Sequence, residues 1–244
     1  MSDSILRIGQ SGLETTDEKV KSLMNKMVNA ETPGFKSSDV TVRSFPLELE
    51  AAQKRIQAET PQVEGTFYNH MQGSLIRTGK NTDLALGSDG FFVILCPWGE
   101  GYTRDGRFTI NSEGQIVTTV GNYPLLGQNG PLQITPGTEI EIGQDGEVRS
   151  GSTVVDRIRV TNFAEKQELE SVNGIIFKNT DQQLAPVEID SPRIISGYIE
   201  ASNVNIVDQM MEMIYLSRIY SLDTKIVQAR DAALTRALDM GKVQ

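Results

Sequence analysis

The sequence predicts an α+β fold, with a helix at each end of the chain and a mainly antiparallel β-domain between them. Three observations carry this reading. Apolar residues recur every seven positions near the N-terminus and again in the last 40 residues, the spacing of a helix seam. Between the two, acidic-glycine and asparagine-glycine dipeptides separate short apolar or alternating runs, the signal of β-hairpins. No glycine or proline interrupts residues 203–240.

The first element spans residues 4 to about 30. Leu6, Leu13, Val20 and Met27 repeat at seven, and Leu23 takes the intervening position; Gln10 and Asp17 dilute the seam. Gly9 and Gly12 weaken the first turns, so this helix is expected to be marginal alone. It stops within "NKMVNAETPGFK" (25–36). Pro33 lacks a backbone donor and pushes Thr32 towards an extended conformation, and Gly34 tolerates a turn. The first segment is therefore 1–36. Residues 37–80 form a linker or extended segment, in which "PLELEAAQKRIQAE" (46–59) fits a short helix before Pro61 and Gly65 break it.

The central β-rich domain is placed at 81–196. Its turns are Asp89-Gly90, Asp105-Gly106, Glu113-Gly114, Asn129-Gly130, Asp145-Gly146 and Asn173-Gly174. The runs between them are "FFVIL" (91–95), "RFTI" (107–110), "QIVTTV" (115–120), "TEIEI" (138–142) and "RIRVTNF" (157–163). The last segment, 197–244, returns to helix. Ile219, Ile226, Ala233 and Met240 repeat at seven, with Leu222 and Ala229 between them. Ser202 or Asn203 can cap its start and Gly241 can stop it. Such a helix is on the order of 50 Å long. Two terminal helices with matching seams imply that the ends pair with each other, or with equivalent ends in neighbouring molecules.

A formal net charge of −9 and scattered basic residues exclude a strongly basic nucleic-acid footprint. No segment approaches the roughly 20 apolar residues of a membrane span, so no membrane insertion is expected. The first 20 residues contain no apolar signal core, which implies a cytoplasmic chain or export without a cleaved signal. The single cysteine, Cys96 in "FFVILC", excludes an intramolecular disulfide and reads as a buried apolar side chain.

Catalytic and cofactor motifs are missing. His70 is the only histidine, and no serine or cysteine is marked as its partner. "GSLIRTGKN" (73–81) has five residues between its glycines and Asn after Lys80, so it lacks the phosphate cradle and the metal-binding hydroxyl. "GEGYTRDG" (99–106) fails the dinucleotide spacing, the acidic-glycine turns lack the calcium-loop series, and no Cys/His cluster can hold zinc. No enzyme activity, metal or cofactor is expected. Met210, Met211, Met213 and Met240 read equally as an adaptable contact surface or as ordinary helix core.

Taken together, the segments resemble the flagellar rod and hook family of bacterial axial proteins. "NKMVNAETPGFK" is similar to the family's N-terminal signature, with Asn25, Asn29, Thr32, Pro33, Gly34, Phe35 and Lys36 matching. "DLALGSDGFFVIL" and "YTRDGRFTINSEGQIVTTVGNYPLLG" are similar to its central β signature. "GYIEASNVNIVDQMMEMIYLSRIY" (197–220) is similar to its C-terminal signature, with Gly197, Glu200, Ser202, Asn203, Val204, Met213, Ile214, Arg218 and Tyr220 in register. Lys26, Glu31 and Ser221 depart from the pattern. Length and the short segment between "VDRIRVTNF" and "VNGIIF" resemble the shorter rod-protein type, with the distal-rod type close behind.

The resemblance implies a structural subunit of the periplasmic rod, passed through the flagellum's type III export apparatus and assembled helically with copies of itself and other rod proteins to transmit torque. It implies an inner, inter-subunit coiled-coil layer built by Leu6, Leu13, Val20, Leu23, Met27, Asn29, Ile219, Leu222, Ile226, Ala229 and Ala233. Thr32, Pro33, Gly34, Phe35, Lys36, Ser202, Asn203 and Val204 carry its turn and motif positions. Phe35 is expected to anchor the turn against a helix, and Lys36 to stay solvated or meet an acid. By their spacing alone, Arg218 and Lys225 lie seven apart on the C-terminal helix and can either meet Asp17 or Glu18 of a paired N-terminal helix or stay independently solvated. The competing reading is a ligand- or glycan-binding β-domain with helical dimerisation ends, its site lined by Trp98.

Overall fold

A computed structural model describes residues 2–51, 54–135, 137–138, 140–181 and 184–241. Side chains are described over 12–42, 65–135, 137–138, 140–181 and 184–225, and at 228, 229, 232, 235 and 236. The fold is α+β, and it divides into two compact units: Met1–Val28 with Ser38–Phe67 and Asn205–Gln244, and Asn29–Ser37 with Tyr68–Val204.

The first unit holds helix α1 (Ser2–Val28), strand β1 (Ser38–Ala51), strand β2 (Lys54–Tyr68) up to Phe67, and a long C-terminal helix. The two strands form a two-stranded sheet. Residues 46–51 and 54–59 are therefore strand and not the short helix that the glutamate- and alanine-rich sequence suggests; the two residues between them lie outside the described residues. Pairing between strands has overridden local propensity there. Helix α1 packs against both the C-terminal helix and β1. Ser22 Oγ donates to the Ser38 carbonyl at 2.8 Å, and Lys26 Nζ lies 2.6 Å from Asp39 and 3.8 Å from Glu212.

The second unit is antiparallel β structure. In chain order its strands are β3 (Leu75–Arg77), β4 (Leu84–Leu86), β5 (Phe91–Cys96), β6 (Gly99–Thr103), β7 (Phe108–Ile110), β8 (Ile116–Thr118) and β9 (Ile140–Ile142). They continue with β10 (Glu147–Ser150), β11 (Thr153–Arg157), β12 (Val160–Asn162), β13 (Glu170–Ser171) and β14 (Ile176–Lys178). The last three are β15 (Val187–Glu188), β16 (Ile194–Ser196) and β17 (Tyr198–Glu200). The main sheet runs β13-β14-β6-β5-β12-β15, with antiparallel neighbours throughout. Each expected run contributes residues to at least one strand, but β structure extends beyond 81–196, to β3 and β17. The C-terminal helix α2 (Ile206–Gly241) accordingly starts later than residue 197 and includes Gly241.

Alternation along β5 divides the core. Phe92, Ile94 and Cys96 join Leu84, Phe108, Ile116, Leu125 and Val148 in one apolar cluster. Phe91 and Val93 join Tyr102, Phe163, Leu169 and Phe177 in the other. The period-2 projection of a strand produces this split. Five of the six turn glycines have positive φ. Gly106 is needed for a different reason: a Cβ there would collide with the Leu84 carbonyl oxygen. Among the described residues no helix is long and apolar enough to cross a membrane.

Candidate functional site

The turn after α1 is built by Thr32-Pro33-Gly34-Phe35. The Phe35 amide donates to the Thr32 carbonyl at 3.2 Å, and the Thr32 amide to the Asn29 carbonyl at 3.1 Å. Thr32 Oγ1 also meets Asn29 Oδ1 at 3.2 Å. Gly34 has φ +72°, and a Cβ there would collide with the Asp105 backbone nitrogen. Its amide donates to the Glu200 carbonyl at 2.8 Å. Phe35 is buried against Gly174, a turn glycine of the β unit, and the Lys36 amide donates to the Gly174 carbonyl at 3.1 Å. Phe35 therefore anchors the turn on β structure and not on a helix.

Lys36 is 1 % exposed, so it is not solvated. Its Nζ donates to Glu200 Oε1 at 2.6 Å and to the Met71 carbonyl at 2.7 Å. Glu200 is also 1 % exposed. Its Oε1 accepts the Gly73 amide at 3.1 Å, and its Oε2 accepts Arg104 NH1 at 3.1 Å. Arg104 is 3 % exposed and lies over the Phe91 ring at 5.7 Å. One carboxylate thus faces two buried cations. Burial pulls both cations below their ordinary pKa ranges, and attraction to Glu200 opposes it. Such a cluster stabilises little relative to apolar packing, but removing one partner strands a buried charge.

Asn203 ties together the same three segments. Its Oδ1 accepts the Ser37 amide at 2.8 Å, and its Nδ2 donates to the carbonyls of Asn69 at 2.7 Å and Met71 at 3.1 Å. The Asn69 amide closes the set by donating to the Ser37 carbonyl at 2.8 Å. Asn203 is therefore not the helix cap. Asn205 takes that place, with Oδ1 accepting the Val207 amide at 3.1 Å. Ser202 Oγ accepts the Val204 amide at 3.3 Å, a local turn contact.

His70 packs between Tyr68, Phe91 and Phe177, at ring-centroid distances of 6.5, 5.7 and 5.1 Å. Burial, reinforced by Lys36 and Lys166, depresses its pKa to about 4. Burial raises the Cys96 thiol to about 11, which makes it an inert core group. Trp98 stacks edge-on to Tyr123 at 6.0 Å. It does not line the polar groove of about 570 Å³ formed by Asn81, Glu141, Asp145, Glu147, Arg149 and Ser196. Among the described residues no group of three His, Cys, Asp or Glu is arranged to hold a metal.

In the helical unit, Leu23 is fully buried on α1, while Leu13, Val20 and Met27 are half-buried. Thr15, Thr16 and Lys26 are buried beside them, so the buried arc is centred to one side of the expected seam. On α2, Leu216 is buried and Ile219 half-buried. Leu222 and Ala229 are exposed. The side chains of Leu6, Ile226 and Ala233 lie outside the described residues. Asp17 and Glu18 meet Lys21 of their own helix, at 2.8 and 2.9 Å, and not Arg218 or Lys225.

A second stripe stands out on α2. Val207, Met211, Ile214, Tyr215 and Leu222 are all exposed. At about 100° per residue these five fall within roughly 100° of the helix circumference, opposite Leu216, while Ile206, Met210 and Tyr220, also exposed, lie outside that arc. Of the four methionines singled out in the sequence, Met210 and Met211 are exposed and Met213 is half-buried, and the side chain of Met240 lies outside the described residues.

The residues that sequence reasoning left without a role are Glu200 and Arg104. Both were visible as charged residues inside otherwise apolar or glycine-rich motifs, which is the signal that a partner must be supplied on folding.

Comparison with known proteins gives these motifs a common context. Residues 85–150 match the family described as flagellar hook protein FlgE/F/G D1 domain, and residues 195–240 match flagellar basal body rod FlgEFG protein C-terminal. The chain is 32 % identical over 240 residues to a flagellar basal-body rod protein FlgF of Caulobacter vibrioides, covering 96 % of each chain. It is 31 % identical to the FlgF of Salmonella typhimurium, over 87 % of this chain and 88 % of the relative. It is 28 % identical to the FlgG of Buchnera aphidicola subsp. Acyrthosiphon pisum, over 95 % and 97 %. With both terminal motifs, the β unit between them and this full-length similarity in place, the chain belongs to the flagellar basal-body rod protein family.

Proposed function

We propose that this chain is a building block of the flagellar rod in the basal body, assembling helically with further copies and with other rod proteins to transmit torque from motor to hook. The observation that carries the reading is the two-sided helix α2. One side buries Leu216, while the other exposes Val207, Met211, Ile214, Tyr215 and Leu222. A helix apolar on opposite sides needs a second partner. In the rod that partner is a neighbouring subunit, and the terminal helices form an inner, coiled-coil-like layer. Head-to-tail contacts of this kind extend without closing. Passage through the flagellar export apparatus as an unfolded chain belongs to the same reading.

Deleting residues 1–30 or 205–244 tests it. Each truncated chain retains Lys36, Arg104 and Glu200, so the β unit is expected to fold while incorporation into rods, measured in isolated basal bodies, is lost. Incorporation at wild-type stoichiometry would refute the inner-layer assignment. A full-length chain that forms a closed dimer and never a longer assembly would favour the ligand-binding alternative.

A further inference from the structure

Glu200 is the counter-ion of two cations that arrive on different parts of the chain. Lys36 belongs to the turn after α1, and Arg104 follows β6. Among the described residues the ion pairs made by Lys36 and Arg104 are both with Glu200. Asp89 adds a weaker attraction to Arg104 but is itself ion-paired with Lys166 at 3.2 Å. The apolar clusters of the β unit draw on residues no later than Ile194. The core can therefore form before residue 200 is in place, but Lys36 cannot be buried on it without leaving an ammonium group uncompensated.

We propose that Glu200 makes docking of the N-terminal turn conditional on the C-terminal segment: "TPGFK" (32–36) seats on the β unit only when "GYIEASN" (197–203) is also seated. The turn after α1 and the segment before α2 then become ordered in one step. This rests on the export reading above. A chain delivered through a narrow channel presents its two ends at different times. A turn docked too early would commit the chain to an incomplete structure. Conditional docking leaves it open until both ends are available.

The backbone contacts agree with a joint step. The Gly34 amide bonds to the Glu200 carbonyl, the Ala201 amide to the Ser74 carbonyl, and the Ser37 amide to Asn203 Oδ1. The Lys36 amide, in contrast, bonds to Gly174, far from the Glu200 carboxylate in sequence. Its protection reports docking of the turn and not the local loss of one side-chain contact.

Hydrogen exchange on the full-length chain, refolded from urea, tests the proposal without reference to export or rod assembly. In wild type, the Lys36 and Ser37 amides are expected to gain protection in the same kinetic phase as the Ala201 amide. Protection of Lys36 before Ala201 would overturn the proposal. In Glu200→Gln, exchange at Lys36 and Ser37 should accelerate at least about 10-fold while the core amides of Val93 and Leu126 stay protected. Unchanged protection at Lys36 would also overturn it. If Glu200→Gln fails to fold, the charge-free combination of Lys36→Met, Arg104→Met and Glu200→Met decides. An apolar triad of similar volume removes the need for a counter-ion. Recovery of core and turn protection in that variant supports the proposal, and failure to recover overturns it. Because the isolated chain is used, a rod-assembly defect alone would leave these results unchanged.

Discussion

Lys36 Nζ and Glu200 Oε1 lie 2.6 Å apart across 164 residues of chain, both almost wholly shielded from water. The pair joins the N-terminal and C-terminal motifs on one face of the β unit. Its geometry depends on the neighbouring glycine, because Gly34 brings the turn against the Asp105 backbone.

Gly34→Ala is therefore expected to be strongly destabilising. The left-handed φ and the collision with Asp105 cannot both be relieved, because backbone rather than a flexible side chain occupies the space. A loss of about 3 kcal/mol in urea unfolding is expected. A loss under about 1 kcal/mol would mean that the turn can dock in another geometry.

His70 is expected to make the β unit acid-sensitive. Its folded pKa of about 4 lies below the ordinary 6.5 because burial, then Lys36 and Lys166, disfavour the imidazolium. Arg104 acts in the same direction. The folded state binds fewer protons, so the full contribution is present above pH 6.5 and is lost as pH falls from 6.5 to 4. Linkage sets an upper bound of about 3 kcal/mol, reduced because the residue is only half-buried. His70→Phe should flatten the pH dependence of the urea midpoint between pH 6.5 and 5. Parallel wild-type and variant curves over that range would exclude His70 as the source.

On α2, Met211→Lys and Ile214→Lys separate folding from assembly. Both side chains are more than half exposed in the chain, at 59 % and 57 %. Each substitution is expected to change unfolding stability by no more than about 0.5 kcal/mol, yet the pair together should block incorporation into rods. Normal incorporation of the double variant, quantified in isolated basal bodies, would show that this stripe is not a subunit contact.

Much of the architecture could be read directly. Turn dipeptides located the strands because a tight turn demands residues that tolerate positive φ, and five of the six glycines adopt it. Helix α2 was legible from its long stretch free of glycine and proline. The segment 46–59 was not, because its glutamates and alanines favour helix locally while the observed strands depend on pairing that no local pattern encodes. The seam of α1 was legible only in part. A seven-residue repeat marks which residues are apolar, but the buried arc also includes Thr15, Thr16 and Lys26. The two threonine hydroxyls both bond to the Gly12 carbonyl, so their polar atoms are satisfied within the helix.

The sequence by itself determined the α+β class, the order of elements and the family motifs, because these follow from periodicity, turn chemistry and local residue identity. Only the tertiary structure decided that Lys36 is buried rather than solvated, that Asn203 ties three segments rather than capping a helix, and that Glu200 serves two cations. The physical reason is the same in each case. A polar side chain acquires its role from what desolvates it and what satisfies it, and here both come from residues distant in the chain.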